Sequence, residues 1–236
     1  MTWIDRLALF SPLDYAAVLL LLICWIGIGY IIENPPKNRL SLSAIMVRYR
    51  REWMVHLVDR NPRVFDAQIL GNLRQGTAFF ASATMIAIGG GLALVGNPDQ
   101  LSIIASDLTM VRAPAFVLEV KMILLILLIS NAFLKFVWAH RLFGYCSVVM
   151  SAVPNDPKDP AALPRAKKAS EINITAAKSF NRAMRSVYFS LAAAAWLLGA
   201  ITLILAAFLT LFVLWRREFA SHSRAVMLEA TDGFGG

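Results

Sequence analysis

Cysteine, histidine and charge are all scarce in this chain of 236 residues, and each scarcity closes a class of function. The two cysteines, Cys24 and Cys146, lie far apart and in no CxxC pattern, so they suggest neither a disulfide framework nor a thiolate metal site. The three histidines, His56, His140 and His222, are as dispersed, and a pair of haem ligands facing one another is not to be had from them. No cofactor and no metal is therefore expected. No Walker loop, GxSxG or HExxH occurs either. Gly89-Gly90-Gly91 lies inside an apolar run and makes no phosphate loop, so the chain is read as no enzyme. Charged residues are 16% of the sequence, well short of the roughly one quarter usual in soluble domains.

Apolar sequence fills the space. The composition is 58% hydrophobic and the mean hydropathy is +0.61. Four long stretches carry it, about 13–32, 76–95, 113–137 and 187–215. A helix rises about 1.5 Å per residue, so about 20 apolar residues cross a ~30 Å hydrocarbon core. Backbone amides in lipid must be satisfied within the segment, which makes these stretches helices. Barrel strands would alternate over segments of about 10 residues, and no such alternation occurs. The fold class is thus all-α: a polytopic integral membrane protein, a four-helix bundle with cytoplasmic interfacial helices. Residues 1–215 read as one membrane domain and 216–236 as an external C-terminal tail. The first stretch is too long for a signal-peptide core, and Glu33-Asn34-Pro35-Pro36 follows it in place of a cleavage site, so it reads as a retained span.

The formal charge of +8 does not point to nucleic acid, because the basic residues are sorted by segment. Eight lie in 33–75 (Lys37, Arg39, Arg48, Arg50, Arg51, Arg60, Arg63, Arg74), and eight in 138–186 (Arg141, Lys158, Arg165, Lys167, Lys168, Lys178, Arg182, Arg185). The segment after the second span offers only Arg112, the N-terminus Arg6, and the tail Arg216, Arg217 and Arg224. The positive-inside rule then places both long loops in the cytoplasm and both termini outside, across a bacterial inner membrane. Arg216-Arg217, directly after the fourth span, runs against that orientation. The basic loops also suit anionic lipid headgroups, worth up to about 1 kcal/mol per basic residue near the surface.

Between the spans, Ser41 to Arg60 reads as an interfacial helix with Ser41 or Ser43 as its N-cap, ended by Asn61-Pro62. A helix from about Val64 runs unbroken into the second span, Pro114 opens the third, and prolines 154, 157, 160 and 164 mark an irregular loop. Arg165 to Ser186 is a polar helix feeding a continuous fourth span. No 20–50-residue repeat, heptad array or broken span is apparent. Three further stretches are distinctive: Arg51-Glu52-Trp53-Met54; Phe65-Asp66-Ala67-Gln68-Ile69-Leu70 with Phe79-Phe80-Ala81-Ser82; and Phe180 to Phe189 running into Ala194-Ala195-Trp196. Together they resemble the four-span membrane proteins of bacteria and plants catalogued as domain of unknown function 599. The resemblance implies a helical membrane protein and no particular activity.

Three groups of residues are candidates for function. In the third span Lys121, Asn131 and Lys135 share about a quarter of the helix circumference, with Glu119 nearly opposite. Ionisable residues within a span suggest a pathway or a pairing, and two cations on one stripe suit an anion route. The competing reading is snorkelling at the span ends with Asn131 as interhelical glue, and Asp14 as a partner for Lys121 under either. On the cytoplasmic side, Arg51, Asp66, Gln68, Asn72, Asn181, Arg182 and Arg185 form either a ligand site or a pore mouth, or they lock helices together. Small residues at Ala83, Ala87 and Gly91, and at Ala195 and Gly199, have the small-xxx-small spacing of close helix contacts. The leading expectation is a homo-oligomeric channel or permeation subunit, for anions; the alternative is a non-catalytic scaffold or lipid-binding accessory protein of a larger membrane complex.

Overall fold

The structure, a computed structural model, describes residues 6–97, 99–100, 103 and 114–229. These are helical with no strand among them. In chain order the helices are α1 (Pro12–Glu33), α2 (Leu42–His56), α3 (Val64–Val95), α4 (Ala115–Ser151), α5 (Ala162–Ala194), a 3-10 turn (Ala195–Leu198), α6 (Ala200–Phe219) and α7 (His222–Met227). Four segments are long and apolar enough to cross a membrane: Pro12–Glu33, Val64–Val95, Ala115–Ser151 and Ala200–Met227. Their surfaces carry exposed Leu19, Ile23 and Ile26 on α1, Ile86 on α3, Leu127 and Leu134 on α4, and Ile201, Leu205 and Leu209 on α6. An apolar surface of that extent suits lipid and not water. The expected loop from Asn97 to Arg112 lies almost wholly outside the described residues, as does the tail beyond Glu229.

Local chemistry explains where the helices begin. Ser11, Pro12 and Asp14 form an N-terminal box. The Asp14 backbone N–H donates to Ser11 Oγ (3.2 Å), and the Ser11 backbone N–H donates to Asp14 Oδ2 (3.0 Å). Ser41 is the N-cap of α2. Its Oγ accepts from the Ala44 N–H (3.1 Å) and donates to the Ile32 carbonyl at the end of α1 (2.8 Å). α2 stops at His56, earlier than Asn61-Pro62 requires. Arg63 gathers the carbonyls released near that end and after α4, donating to Leu57 O (3.2 Å), Val153 O (2.7 Å) and Pro154 O (2.7 Å).

The chain clusters into two compact units. The first comprises 1–29, 81–134 and 182–213. Leu118 and Met122 pack there with Leu94, Val95 and Leu197. The second comprises 30–80, 135–181 and 214–236, with a core of Met54, Leu57, Leu70, Phe143, Cys146 and Met150. Against that core α5 lays Ala162, Ala166, Ala169, Asn173 and Ala176, all at most 1% exposed and spaced four and three in alternation. This is a 3.5-residue seam whose small side chains let helices approach closely, a heptad pattern unnoticed in the sequence because alanine carries it.

One sequence expectation is corrected here. The stretch 187–215 is not one helix: α5 ends at Ala194, a 3-10 turn follows, and Gly199 sits at φ +130°, a conformation costly for any residue with a Cβ. Thr202 Oγ1 lies 2.7 Å from both Ala195 O and Gly199 O, so its hydroxyl serves carbonyls released by the break. Ala195 and Gly199 therefore flank a turn and do not form a helix-packing pair. The tail after the fourth apolar stretch makes contacts of its own. Glu218 accepts from the Ser43 N–H (3.0 Å), Arg224 Nε donates to Leu40 O (2.8 Å), and the Arg39 guanidinium lies 5.0 Å from the Trp215 ring centroid. The segment 214–229 thus packs on the first basic loop within the second unit.

Candidate functional site

The polar residues of the third span are taken up by the protein's own packing. In the first unit Lys121, 9% exposed, has Nζ 5.5 Å from the Trp196 ring centroid. Trp196 Nε1 donates to Asp14 Oδ1 (2.7 Å), so the indole lies between the cation and the carboxylate. Asp14 and Lys121 are thus associated, as the sequence suggested, but through a tryptophan and not by direct contact. Asn131 Nδ2 donates to Ser186 Oγ (2.7 Å), and Ser186 in turn donates to Arg182 O (3.2 Å). Lys135, in the second unit, is engaged as well. Glu119 is half-buried, apart from these contacts.

The small-residue series on α3 divides. Gly91 is buried, and a Cβ built on it would meet Ile126 Cγ1 at 2.9 Å, while Ala83 and Ala87 are exposed. Gly91→Leu is therefore expected to force α3 from α4 and to lower stability by about 1–3 kcal/mol, the usual range for overpacking. Ala87→Leu, on an open face, is expected to leave the monomer's melting temperature within about half a kcal/mol of stability of the parent. Thermal unfolding in detergent checks the pair; equal effects would refute the assignment of Gly91 to an intramolecular contact.

The expected cytoplasmic cluster separates into distinct contacts. Arg51 pairs with Glu171 (Nε–Oε1 2.7 Å). That bond raises the arginine's proton affinity, yet both side chains are more than half exposed, so the pair adds little stability. Asp66 is fully buried: its Oδ1 accepts from Trp53 Nε1 (2.6 Å) and from Arg60, and its Oδ2 has no hydrogen-bond partner. Gln68 donates to Asn72 (3.0 Å) on the surface. Arg182 is exposed and Arg185 is buried, both in the first unit. A Cβ on Gly29 would lie 3.6 Å from Arg185 Nε, so the glycine gives that side chain room.

Asn72 and Asn181 do meet, around a cavity of about 240 Å³ in the second unit. Arg50, Thr77, Phe143 and Phe180 complete its principal lining, and no carboxylate lines it. Arg50 donates to Asn173 Oδ1, and Asn173 is fully buried with its Nδ2 3.7 Å from Cys146 Sγ. Neither Arg50 nor Asn173 stood out in the sequence. Arg50 is one of three arginines in four positions, and Asn173 looks like surface on a charge-rich helix until the alanine seam is recognised. A second cavity, about 290 Å³, lies in the first unit between Phe10, Tyr15, Val18, Leu22 and Trp196, with Asp14 in its wall.

The family model described as "Protein of unknown function, DUF599" matches residues 16–223. The chain belongs to this family. No curated protein and no solved structure matches it. The stretches that carry the DUF599 resemblance acquire physical content here. Trp53 and Asp66, from two of them, hydrogen-bond each other, and Trp196, from the third, holds Asp14. Phe80, Phe136 and Phe180 form a ring cluster in which Phe136 and Phe180 are 5.4 Å apart. In the structure these side chains are engaged in packing and hydrogen bonding.

Proposed function

We propose that this DUF599 protein is a non-catalytic, multi-pass membrane protein that binds anionic lipid, with its basic side in the cytoplasm of a bacterial cell. The observation that carries the reading is the docking of 214–229 on the first basic loop, through Glu218, Arg224 and the Arg39–Trp215 contact. On this reading Arg216, Arg217 and Arg224 join the side of the two basic loops, with Arg6 opposite. An asymmetry of that size creates a strong attraction for anionic headgroups. The channel reading is the weaker one, because Lys121 is covered by Trp196 and Asn131 is spent on Ser186. A pore lining needs those groups open to water.

Lipid composition around the purified protein tests the proposal. Protein extracted in polymer discs from a bacterial membrane is expected to hold anionic phospholipid enriched several-fold over the bulk, roughly 1 kcal/mol of preference. An annulus identical to the bulk would sink the lipid reading. Chloride flux through proteoliposomes that Lys121→Ala or Lys135→Ala alters, with the protein still folded, would restore the channel in its place. The same discs report the oligomeric state; a homo-oligomer is part of the proposal, with exposed Ala83 and Ala87 offering the face for a second copy.

A further inference from the structure

We propose that the cavity beside Arg50 is a binding site for one phosphate-class oxyanion, either the phosphodiester of a phospholipid headgroup or a free phosphate. Charge is the first argument. Arg50 is largely removed from water, and burial depresses its proton affinity, yet the contact it makes is to the neutral amide of Asn173. The neighbouring arginines have carboxylates: Arg51 has Glu171, and Arg60 has Asp66. Among the described residues Arg50 pairs with no carboxylate, and none of the residues lining the cavity is Asp or Glu. A guanidinium withdrawn from water without a counter-ion costs several kcal/mol, which an anion in the adjoining space would offset.

The rest of the lining fits the same ligand. Asn72 accepts from Gln68 through Oδ1, which leaves its amide NH2 as a donor at the exposed rim. Asn181 is held only by a 3.5 Å bond to Ser43 Oγ. One guanidinium fork with neutral amide donors matches a single tetrahedral oxyanion better than a polyanion. A volume near 240 Å³ holds a headgroup-sized moiety and not acyl chains. Gly76 is also in the wall, at an exposed position where a Cβ would meet nothing within 4 Å.

The site depends on the lipid-binding reading only for the source of its anion, so the test separates the two. Sodium phosphate is titrated onto delipidated protein in a neutral detergent, followed by calorimetry. Separately, native mass spectrometry reads lipid retained from vesicles of phosphatidylcholine doped with phosphatidylglycerol. Arg50→Gln removes the charge; Gly76→Leu adds bulk at the cavity wall, where a Cβ meets no neighbour within 4 Å; Arg48→Gln, on the exposed part of the same helix, is the control. Both site variants are expected to weaken binding at least about tenfold, the loss of one charge-assisted contact, with Arg48→Gln unchanged. Loss of phosphatidylglycerol alone identifies a headgroup, and loss of phosphate binding a free anion. Identical binding by all four proteins overturns the site, even where phosphatidylglycerol stays enriched and the lipid reading survives. Arg50-dependent phosphate binding without any lipid enrichment leaves the site standing and removes the lipid reading.

Discussion

A fluorescent protein fused after Gly236 is expected to fluoresce in bacterial cells, and alkaline phosphatase fused at the same point to remain inactive. The argument is one of parity. α1 carries the chain across once, and α3 and α4 carry it out and back, so residue 151 returns to the side of the first loop. The Glu218–Ser43 and Arg224–Leu40 bonds require residues 214–229 to be on that side too. Between 151 and 214 the chain therefore crosses an even number of times. α6 has the length and hydropathy for one crossing, and we propose that the end of α5, outside the four segments apolar enough by composition, supplies the other, with Gly199 turning the chain between them. The end of α5 is suited to this by Ala192, Ala193 and Phe189, buried at 3% or less. A polar first half kept α5 out of any count of apolar spans. The orientation rule then gains consistency, because Arg216-Arg217 ceases to be an exception. A cysteine placed in the 3-10 turn, as Leu198→Cys, is expected to react with an impermeant maleimide from outside, Leu198 being exposed. An active phosphatase fusion would overturn the parity argument and restore the external tail.

The four apolar stretches were legible because a span is a property of composition over about 20 residues, which no tertiary context can disguise. The Ser41 cap, the unbroken run of α3 from Val64 and the start of α4 after Pro114 were legible for a similar reason: each depends on neighbours in sequence. What escaped depends on contacts between distant residues. Gly199 stands in a run of alanines and leucines that looks uniformly helical, and only the left-handed φ distinguishes it from a packing glycine. The seam of α5 hid because its period is written in alanine, a residue neutral to hydropathy, among lysines and arginines. The wheel put Lys121, Asn131 and Lys135 within about a quarter of one helix circumference. A wheel does not reveal that Trp196 and Ser186 occupy that face. The cytoplasmic residues were singled out for their chemistry, and chemistry alone does not separate Asp66, locked in a helix junction, from Asn72 at the edge of a cavity.

Asp66→Ala is expected to be the most damaging single polar substitution among the candidates, at about 3–5 kcal/mol, the range for stripping one partner from a buried charged contact. Asp66 is 0% exposed, and its Oδ1 receives both the Trp53 indole N–H and the Arg60 guanidinium. Removing the carboxylate leaves two donors without their acceptor and opens a void where α2 and the start of α3 meet. Asp66→Asn is expected to cost less, about 1–3 kcal/mol, since an amide oxygen still accepts from Trp53 while the charge opposite Arg60 is gone. Trp53→Phe, which deletes the donor and keeps most of the ring, should cost about 1–2 kcal/mol. A double-mutant cycle of Trp53→Phe with Asp66→Ala should then return a coupling of about 1 kcal/mol or more, because the two changes remove the same bond. Chemical denaturation in a mild detergent, followed by tryptophan fluorescence and helical circular dichroism, reads the parent and the four variants. Additive effects would mean that the 2.6 Å bond contributes nothing net. A silent Asp66→Ala would mean that this buried carboxylate is held for ligand binding and not for structure, since only a group maintained at a cost to folding can be deleted without one.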